Sequence, residues 1–443
     1  MKIFRKLELV RRFGLAENGA LLFFGGTIVA AGLNFLYQAL MSRMLGPSIY
    51  GALGSLIALT TIVTLAAAAL QAAVTHAVAS TDHLDNEWAT AMSMRRPLQY
   101  ALAGGALCFA VIAATSPLFE HYLHLKSALP VVLFGLFVAI TLVGIIPQGL
   151  LMGRLRFSTV AIAIVANAAV RCALGVILVE LKFGLNGAMA AAALASAVQF
   201  VILVYPVRTE LRRVGAVEDR FIRTRAVILA VVALGGVSTF IGIDSFLARH
   251  FLPRVESGYY VAAATGAKIT LFLPAAVTQM AFPRIARVIA EPAKIRRILA
   301  QNFTFVSILG IVSTLVIFLF SHLIVGVLFG HRFDAATRTI GLLSVSSAEL
   351  GVMTLMTYYF LARRLMFATF SWVGVAAAAL AIWGFHANPT EIAKVMVVTT
   401  SATLLVQVVV AWFSLPRDAL ATDGVITPRA PFTHHRPVDK ETT

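Results

Sequence analysis

Apolar runs of about 20 residues recur along the whole sequence, and they constrain its fold more than any other feature. A helix rises about 1.5 Å per residue, so roughly 20 residues cross the ~30 Å hydrocarbon core of a bilayer. Only 13% of the 443 residues are charged, against roughly 25% in soluble domains. We therefore expect an all-α polytopic membrane protein. The runs predict twelve spans, near residues 19–41, 49–79, 98–119, 128–151, 158–180, 187–207, 226–248, 258–283, 303–322, 339–361, 366–385 and 392–414.

The distribution of basic residues predicts the orientation of these spans. With the N-terminus in the cytoplasm, cytoplasmic loops and tails hold 26 of the 36 Lys and Arg residues, the outer loops hold 8, and 2 lie within spans. Positive charge concentrates on the cytoplasmic side of membrane proteins, so both termini are predicted to be cytoplasmic. The cytoplasmic basic residues account for most of the net charge of +16, and they are suited to contact with anionic membrane lipids. The net charge therefore indicates no nucleic-acid partner.

The second half of the sequence repeats part of the first. The aligned segments are residues 38–43 (QALMSR) with 244–249 (DSFLAR), 45–47 (LGP) with 251–253 (FLP), Tyr50-Gly51 with Gly258-Tyr259, and Gln71 with Gln279. Six spans separate the two copies, an even number, so both copies have the same orientation. Parallel repeats of this kind are typical of transporters, in which the two lobes enclose a site near the membrane midplane.

The repeat also predicts the domain organisation. Residues 1–207 are expected to form an N-terminal lobe, and residues 226–414 a C-terminal lobe, with six spans in each. The basic segment 208–225 is the predicted cytoplasmic linker. The polar, proline-containing tail 415–443 is predicted to be disordered and cytoplasmic.

Four charged residues fall within or near the apolar zone. Lys268 and Glu349 lie near the predicted midplane, Arg171 lies further along its span, and Asp244 lies near the outer end. A charge at the bilayer centre costs at least ~2.5–3.5 kcal/mol, so it normally faces a cavity or a partner. These residues either line a wet cleft or form charge pairs that stabilise packing. Gln279 is expected on the same helix face as Lys268.

The first span carries a polar stripe. Asn34, Tyr37 and Gln38 are spaced i, i+3, i+4 and therefore share one helix face. Amide and phenol groups suit a hydroxyl-rich ligand, although polar residues also form routine hydrogen bonds between membrane helices.

Several kinds of machinery are missing from the sequence. It has no GxxxxGK[ST] phosphate loop, no HExxH and no paired cysteine motif, so it predicts no ATP engine, metal or cofactor. The outer loops are short, which disfavours a glycan polymerase or ligase. The chain is therefore predicted not to be an enzyme.

The repeated turns resemble those of a known family. Arg43, Leu45, Gly46, Pro47, Tyr50 and Gly51 match an R-x-L-G-P-x-x-Y-G turn, and residues 248–263 (ARHFLPRVESGYYVAA) and 281–287 (AFPRIAR) resemble its second-half elements. These motifs are similar to those of the polysaccharide biosynthesis, O-antigen flippase-like branch of the MOP (MATE-like) exporter superfamily. The resemblance implies two six-helix lobes that rock to export a polyprenyl-diphosphate-linked oligosaccharide across the bacterial inner membrane. Polysaccharide polymerases and glycosyltransferases would be functional partners.

The resemblance and the residues together suggest roles for particular side chains. Lys268 and Arg171 are expected to attract the diphosphate. The substrate-contacting set is completed by Asn34, Tyr37, Gln38, Gln71 and Gln279.

A second group is expected to act in gating or ion coupling. Asp244 and Arg249 would form an outer gate or coupling pair, Arg43 is the repeat counterpart of Arg249, and Glu349 would balance Lys268. H⁺ and Na⁺ are the candidate coupling ions, through Asp244 or Glu349. The alternative function is a cation-coupled multidrug exporter of the same superfamily. The cations at Lys268 and Arg171 argue against it, because a site for cationic drugs needs an acidic excess.

Overall fold

The computed structural model describes residues 2–81, 95–209, 225–271, 292–363 and 365–414. Every regular element in these ranges is helical, as the apolar runs predict. Most of the predicted linker 208–225, the whole predicted tail 415–443 and Gln279 lie outside the described residues.

The described residues of the first half form the helices α1 (Lys2–Thr81), α2 (Arg95–Ala114), α3 (Ser116–Tyr122), α4 (Leu129–Gly153), α5 (Phe157–Glu180) and α6 (Gly184–Val204). The second half contains α7 (Arg225–Phe251), α8 (Arg254–Ala267), α9 (Pro292–Leu319), α10 (Ser321–Leu328), α11 (Thr337–Ala362), α12 (Ser371–Gly384) and α13 (Pro389–Ser414). Short 3₁₀ helices occupy Tyr205–Val207, His331–Ala336 and Met366–Phe370.

Helix α1 is divided by a sharp kink at Gly46. This residue has φ +69° and ψ 170°, a conformation that glycine adopts without a Cβ clash. Pro47 follows, and proline is well suited to the first turn of a new helix because its missing N–H is not needed there. The kink separates a first arm (residues 2–45) from a second arm (residues 47–81), and these arms correspond to the first two predicted spans.

Ten helical stretches of the described residues are long and apolar enough to cross a membrane. The first of them, Leu21–Val63, runs through the kink and covers most of the first predicted span and part of the second. The predicted eighth span falls partly on α8 and partly outside the described residues. Large apolar side chains such as Leu21, Leu319 and Phe413 are exposed, as expected for lipid-facing surfaces. Twelve spans and cytoplasmic termini remain predictions.

Helix α8 ends earlier than the sequence pattern predicts. The sequence predicts a continuous helix over residues 258–283, but in the structure α8 ends at Ala267, Lys268 forms a turn, and helical backbone resumes at residues 269–271. The N–H of Leu271 donates to the Lys268 carbonyl at 3.0 Å, a tighter i→i+3 bond than in a regular helix. Gln279, which was expected on the same helix face as Lys268, lies beyond the described part of this segment, so its position stays a prediction.

The two halves meet closely where the second arm of α1 crosses α7 and α8. A Cβ atom built at Gly258 would lie 2.0 Å from the carbonyl oxygen of Pro47, and one at Gly54 would lie 2.0 Å from Cγ1 of Val261. Glycine, which lacks a Cβ, permits this approach without displacing the facing residue. A Cβ at Gly51 would lie 2.9 Å from the backbone nitrogen of Gly258. Gly51 and Gly258 belong to the Gly-Tyr pairs that occur in opposite order in the two repeats, so corresponding segments of the two halves contact each other.

The crossing is continuous with a shared apolar core. Tyr50 and Leu53 from the second arm belong to the same buried cluster as Phe240 and Tyr260 from the second half. The Gly46 kink, the turns at 123–128, 181–183 and 252–253, and the 3₁₀ helix His331–Ala336 surround this cluster at one end of the molecule. We call this end the predicted outer end.

Candidate functional site

Arg249 fastens the two halves together at the predicted outer end. Its Nε donates to the carbonyl oxygen of Leu123 at 2.9 Å. Its Nη1 donates to the carbonyl oxygens of Ser48 at 3.1 Å and Arg254 at 3.2 Å, and to Oγ of Ser257 at 3.0 Å. Leu123 and Ser48 belong to the first half, whereas Arg249 belongs to the second. The side chain is only 3% exposed.

Arg43 makes the reciprocal contact. Its Nη2 donates to the carbonyl oxygen of Val327 in α10, so this first-half side chain reaches the second half. Arg43 and Arg249 are aligned in the repeat. The structure therefore contains two repeat-related arginines, each of which crosses to the opposite half and binds backbone carbonyls. We call this pair the arginine clamp.

An aromatic stack lies beside the clamp. The rings of Tyr122 and His250 are parallel within 3°, with centroids 3.8 Å apart. The ring of Phe246 stacks on Tyr122 at 5.1 Å, and the ring of His124 lies 5.9 Å from that of His250. Partial desolvation lowers the pKa of His124, and the positive charges of Arg249, His250 and Arg254 lower it further. The stack joins the end of α3 and the turn after it to the end of α7, and no motif in the sequence indicates it.

Asp244 does not pair with Arg249, so the prediction that these two residues form a gate pair is wrong. The two residues are five apart on α7, about 140° around the helix at 100° per residue, and they face different neighbours. Asp244 accepts a hydrogen bond from the hydroxyl of Tyr260, with 3.0 Å between oxygens. It is 4% exposed, and its Oδ1 has no hydrogen-bond partner.

Asp244 and Lys268 instead line one narrow cavity within the second half. Its volume is about 10 Å³, near the minimum needed for one water molecule. The other polar groups lining it are the hydroxyls of Ser346 and Ser347. The break in α8 at Lys268 fits this position, because irregular backbone within a membrane is tolerated where it lines a cavity or is buried in protein.

Glu349 does not face Lys268 as the sequence analysis expected. Its carboxylate accepts hydrogen bonds from the hydroxyls of Thr400 and Ser401 on α13, the latter at 2.6 Å. It is therefore a link between α11 and α13, and Asp244 takes the expected place near Lys268. Helical spacing gave the depth of Glu349 but not which neighbouring helix its side chain would meet.

Arg171 joins part of the polar stripe in the first half. Its Nη2 donates to Oδ1 of Asn34, and its guanidinium carbon lies 5.0 Å from the centre of the Tyr37 ring. The Nε of Arg171 is buried without a hydrogen-bond partner. Tyr37 is 1% exposed, and its hydroxyl donates to the carbonyl of Ala188 at 3.3 Å. The structure thus brings together Asn34, Tyr37 and Arg171, and it places Lys268 in a separate cluster.

Gln38 points to a different neighbour. Its Oε1 accepts a hydrogen bond from the hydroxyl of Tyr50 at 3.4 Å, across the Gly46 kink. The predicted stripe is therefore divided, with Asn34 and Tyr37 beside α5 and α6 and with Gln38 beside the second arm.

A polar cavity within the first half, which we call the glutamine cavity, brings Gln71, one of the predicted substrate contacts, together with two further glutamines. Its volume is about 160 Å³, and Gln71, Gln148 and Gln199 line it from the second arm, α4 and α6. Nε2 of Gln71 also lies 2.9 Å from Sδ of Met152. The sequence places three amide side chains within separate predicted spans. Whether they converge depends on how those helices pack.

Over the described ranges, no three His, Cys, Asp or Glu side chains are grouped to hold a metal ion. The residues gathered here can donate hydrogen bonds, carry charge and change their partners. They are suited to binding and movement within the membrane.

These features define a multi-pass membrane protein in which repeated segments of the two halves pack against each other, as in transporters with parallel repeats. The chain belongs to the polysaccharide biosynthesis protein family, whose sequence profile matches residues 40–338. No curated protein sequence matches it significantly.

Solved structures with the same fold belong to the MOP superfamily. An inward-facing multidrug resistance MATE transporter superposes with a TM-score of 0.67 at 14% identity, covering 86% of this chain and 94% of that one. An outward-facing MATE transporter gives 0.59 at 15% identity, with coverage of 90% and 96%. A MOP transporter from Pyrococcus furiosus, with a binding pocket of reversed polarity, gives 0.60 at 17% identity, with coverage of 90% and 95%.

Proposed function

We propose that this protein is a flippase that moves a polyprenyl-diphosphate-linked oligosaccharide outward across the bacterial inner membrane for surface polysaccharide biosynthesis. It works by alternating access, with twelve spans in two six-helix lobes, residues 1–207 and 226–414, and both termini in the cytoplasm. Residues 208–225 link the lobes, and residues 415–443 form a disordered tail. Glycosyltransferases supply the cargo and a polymerase uses it.

The arginine clamp is the observation that carries the proposal. Arg43 and Arg249 each donate to carbonyls of the opposite half at the predicted outer end. A clamp made of hydrogen bonds between two packed halves can break and form again as the halves rock. Closure at this end leaves the cytoplasmic side as the side from which the cargo enters.

The polar groups inside the first half support an anionic, hydroxyl-rich cargo. Arg171 carries a positive charge and a buried Nε without a partner, so it is the cation that we assign to the diphosphate. Asn34 and Tyr37 lie beside it. Gln71 and its neighbours in the glutamine cavity contact sugar hydroxyls. Gln38 and Gln279 complete the proposed lining.

The second half supports a coupling role. Asp244 holds an unpartnered carboxylate oxygen beside Lys268, so we assign binding of H⁺ or Na⁺ to Asp244. Lys268 then neutralises Asp244 when no ion is bound, and it contributes positive potential to the cargo path. Glu349 holds α11 against α13. Export of two negative charges across a membrane that is negative inside gains about 4.6 kcal/mol per 100 mV, which also drives the cargo outward.

The proposal is tested in a host strain that lacks this protein. We expect surface polysaccharide to disappear while the lipid-linked oligosaccharide accumulates on the cytoplasmic leaflet, as measured by protection from an added glycosidase in intact spheroplasts. The wild-type gene restores both, whereas Arg171→Gln inserts at normal levels and restores neither. Normal polysaccharide together with increased sensitivity to cationic drugs would contradict the proposal and support the multidrug alternative.

A further inference from the structure

A pocket of about 300 Å³ opens at the predicted outer end, away from the polar clusters within the halves. Four parts of the chain enclose it. They are the start of the second arm, the turn before α4, the turn between α5 and α6, and the turn between α7 and α8. The pocket therefore lies where both halves meet.

The lining of this pocket is strongly basic. Lys126, Lys182, Arg249, Arg254 and His124 contribute to it. Within the described residues, no carboxylate lines it. Several like charges around a partly enclosed space raise the local potential and concentrate anions.

The helices around the pocket add positive potential of their own. The second arm begins at Pro47, α4 at Leu129, α6 at Gly184 and α8 at Arg254, so four helix N-termini face the same region. None of α4, α6 and α8 has a side-chain cap. The first N–H groups of a helix have no acceptor within the helix, and together with the helix dipole they favour phosphate.

Two of the basic residues also sit in a left-handed backbone conformation. His124 has φ +52° and Lys182 has φ +65°. Residues other than glycine rarely adopt this region, and where they do, the surrounding structure must hold them there. The conformation arises in the tight turns that bring these residues to the pocket lining.

We propose that this pocket binds a phosphoryl oxyanion carried by a lipid in the outer leaflet of the membrane that the protein spans. Arg249 already donates to backbone carbonyls in the clamp, so Lys126, Lys182 and Arg254 are the cations that meet the phosphoryl oxygens. The headgroup comes either from an anionic phospholipid or from the diphosphate of the exported cargo. Only the second source rests on the proposed function, because the pocket binds the phosphoryl group in either case.

The test uses full-length protein in nanodiscs of phosphatidylcholine, with inorganic pyrophosphate as the soluble probe and calorimetry as the measurement. The pocket variants are Lys126→Gln/Lys182→Gln and, separately, Arg254→Gln. The matched control is Arg332→Gln/Arg338→Gln, which removes two exposed cations from the same end outside the pocket. We expect affinity to fall roughly tenfold or more in the double pocket variant and less than about twofold in the control.

The source of the phosphoryl group is assigned by competition. If phosphatidylglycerol in the nanodisc displaces pyrophosphate, the site binds a phospholipid headgroup. If only polyprenyl diphosphate displaces it, the site binds the cargo. Thermal unfolding confirms that each variant is folded. The proposal is overturned if the wild type does not bind pyrophosphate, if both folded pocket variants bind it unchanged, or if neither lipid displaces it.

Discussion

Two aligned residues of the repeats, Gln38 and Asp244, both accept a hydrogen bond from a buried tyrosine, but they differ in charge. In the first repeat, the hydroxyl of Tyr50 donates to the neutral amide of Gln38 at 3.4 Å. In the second, the hydroxyl of Tyr260 donates to the carboxylate of Asp244 at 3.0 Å. Gln38 and Asp244 are aligned in the sequence. The second-half contact is the ionisable one, which is the reason that we propose ion coupling in the second half.

The two arginines of the clamp also differ, and again the second-half residue is the more deeply buried and makes more contacts. Arg43 is exposed and donates to one carbonyl, whereas Arg249 is 3% exposed and donates to oxygen atoms of four residues. An exposed hydrogen bond competes with water, but a buried charged donor leaves several carbonyls unpaired when it is lost. We therefore expect Arg249 to stabilise the contact between the two halves more than Arg43 does.

The largest effect is expected from Arg249→Met. The unpaired carbonyls should weaken the closed outer end by about 3 kcal/mol, which corresponds to roughly a hundredfold shift in its equilibrium. Arg43→Met should cost less than ~1 kcal/mol. The measurement is labelling of Ala52→Cys, a position only 2% exposed, by a membrane-impermeant maleimide in cells with Cys108 and Cys172 replaced by Ala. Equal labelling of the two arginine variants would contradict the expected difference between Arg249 and Arg43.

A smaller effect is expected from the buried charges of the second half. Asp244→Asn should lower the free energy of unfolding by about 1–3 kcal/mol. The asparagine oxygen can still accept the hydrogen bond from Tyr260, but Lys268 loses the nearby negative charge. Adding Lys268→Met should recover part of this loss, since the two residues share one cavity. Gln38→Ala, the matched change in the first repeat, should cost less than about 1 kcal/mol. Thermal unfolding in detergent provides the values, and additive losses for Asp244 and Lys268 would contradict their coupling.

The smallest effect is a pH dependence at His124. Its pKa is lowered by partial desolvation and then by the charges of Arg249, His250 and Arg254, and Lys126 and Lys182 also line the pocket. The closed end therefore binds fewer protons at His124 than an open end would. The contribution of neutral His124 to the stability of the closed end is fully present above the ordinary histidine pKa of about 6.5. This contribution declines as the pH falls below that value.

The measurement is the ratio of labelling at Ala52→Cys to labelling at Arg332→Cys, an exposed reference, between about pH 7.5 and 5.5. The ratio should rise a few-fold at the lower pH. His124→Asn should remove most of the rise, and asparagine tolerates the left-handed backbone of this position. The same rise in His124→Asn as in the wild type would exclude this residue as the cause.

The sequence predicted the frame of this protein better than its internal contacts. Long apolar runs fixed the helical class, the Gly46-Pro47 pair marked the kink, and the alignment of Arg43 with Arg249 anticipated their equivalent positions. These features depend on local chemistry or on duplication. The partners of Asp244 and Glu349 were wrong because a charge in a span gives only its depth, and the neighbouring helix decides its contact.

The glutamine cavity and the end of α8 show the same limit. Gln71, Gln148 and Gln199 are far apart in the sequence, and only the packing of three helices brings them around one space. Lys268 occupies an apolar stretch with helical spacing on both sides, so nothing local marks its turn. Information about these contacts lies in the tertiary packing.

Cross-linking of the outer end tests most directly whether its opening is required for export. A Cβ at Gly54 would lie 3.3 Å from Cβ of Val261, and one at Gly135 would lie 3.2 Å from Cβ of Ile112, both near the range for disulfides. The Gly54→Cys/Val261→Cys pair joins the two halves, and Gly135→Cys/Ile112→Cys joins α4 to α2 within the first half. Both are made without Cys108 and Cys172. We predict that oxidation of the first pair stops polysaccharide export and that reduction restores it, with no effect of the second pair. Full export by protein cross-linked between Gly54 and Val261 would contradict alternating access at this end.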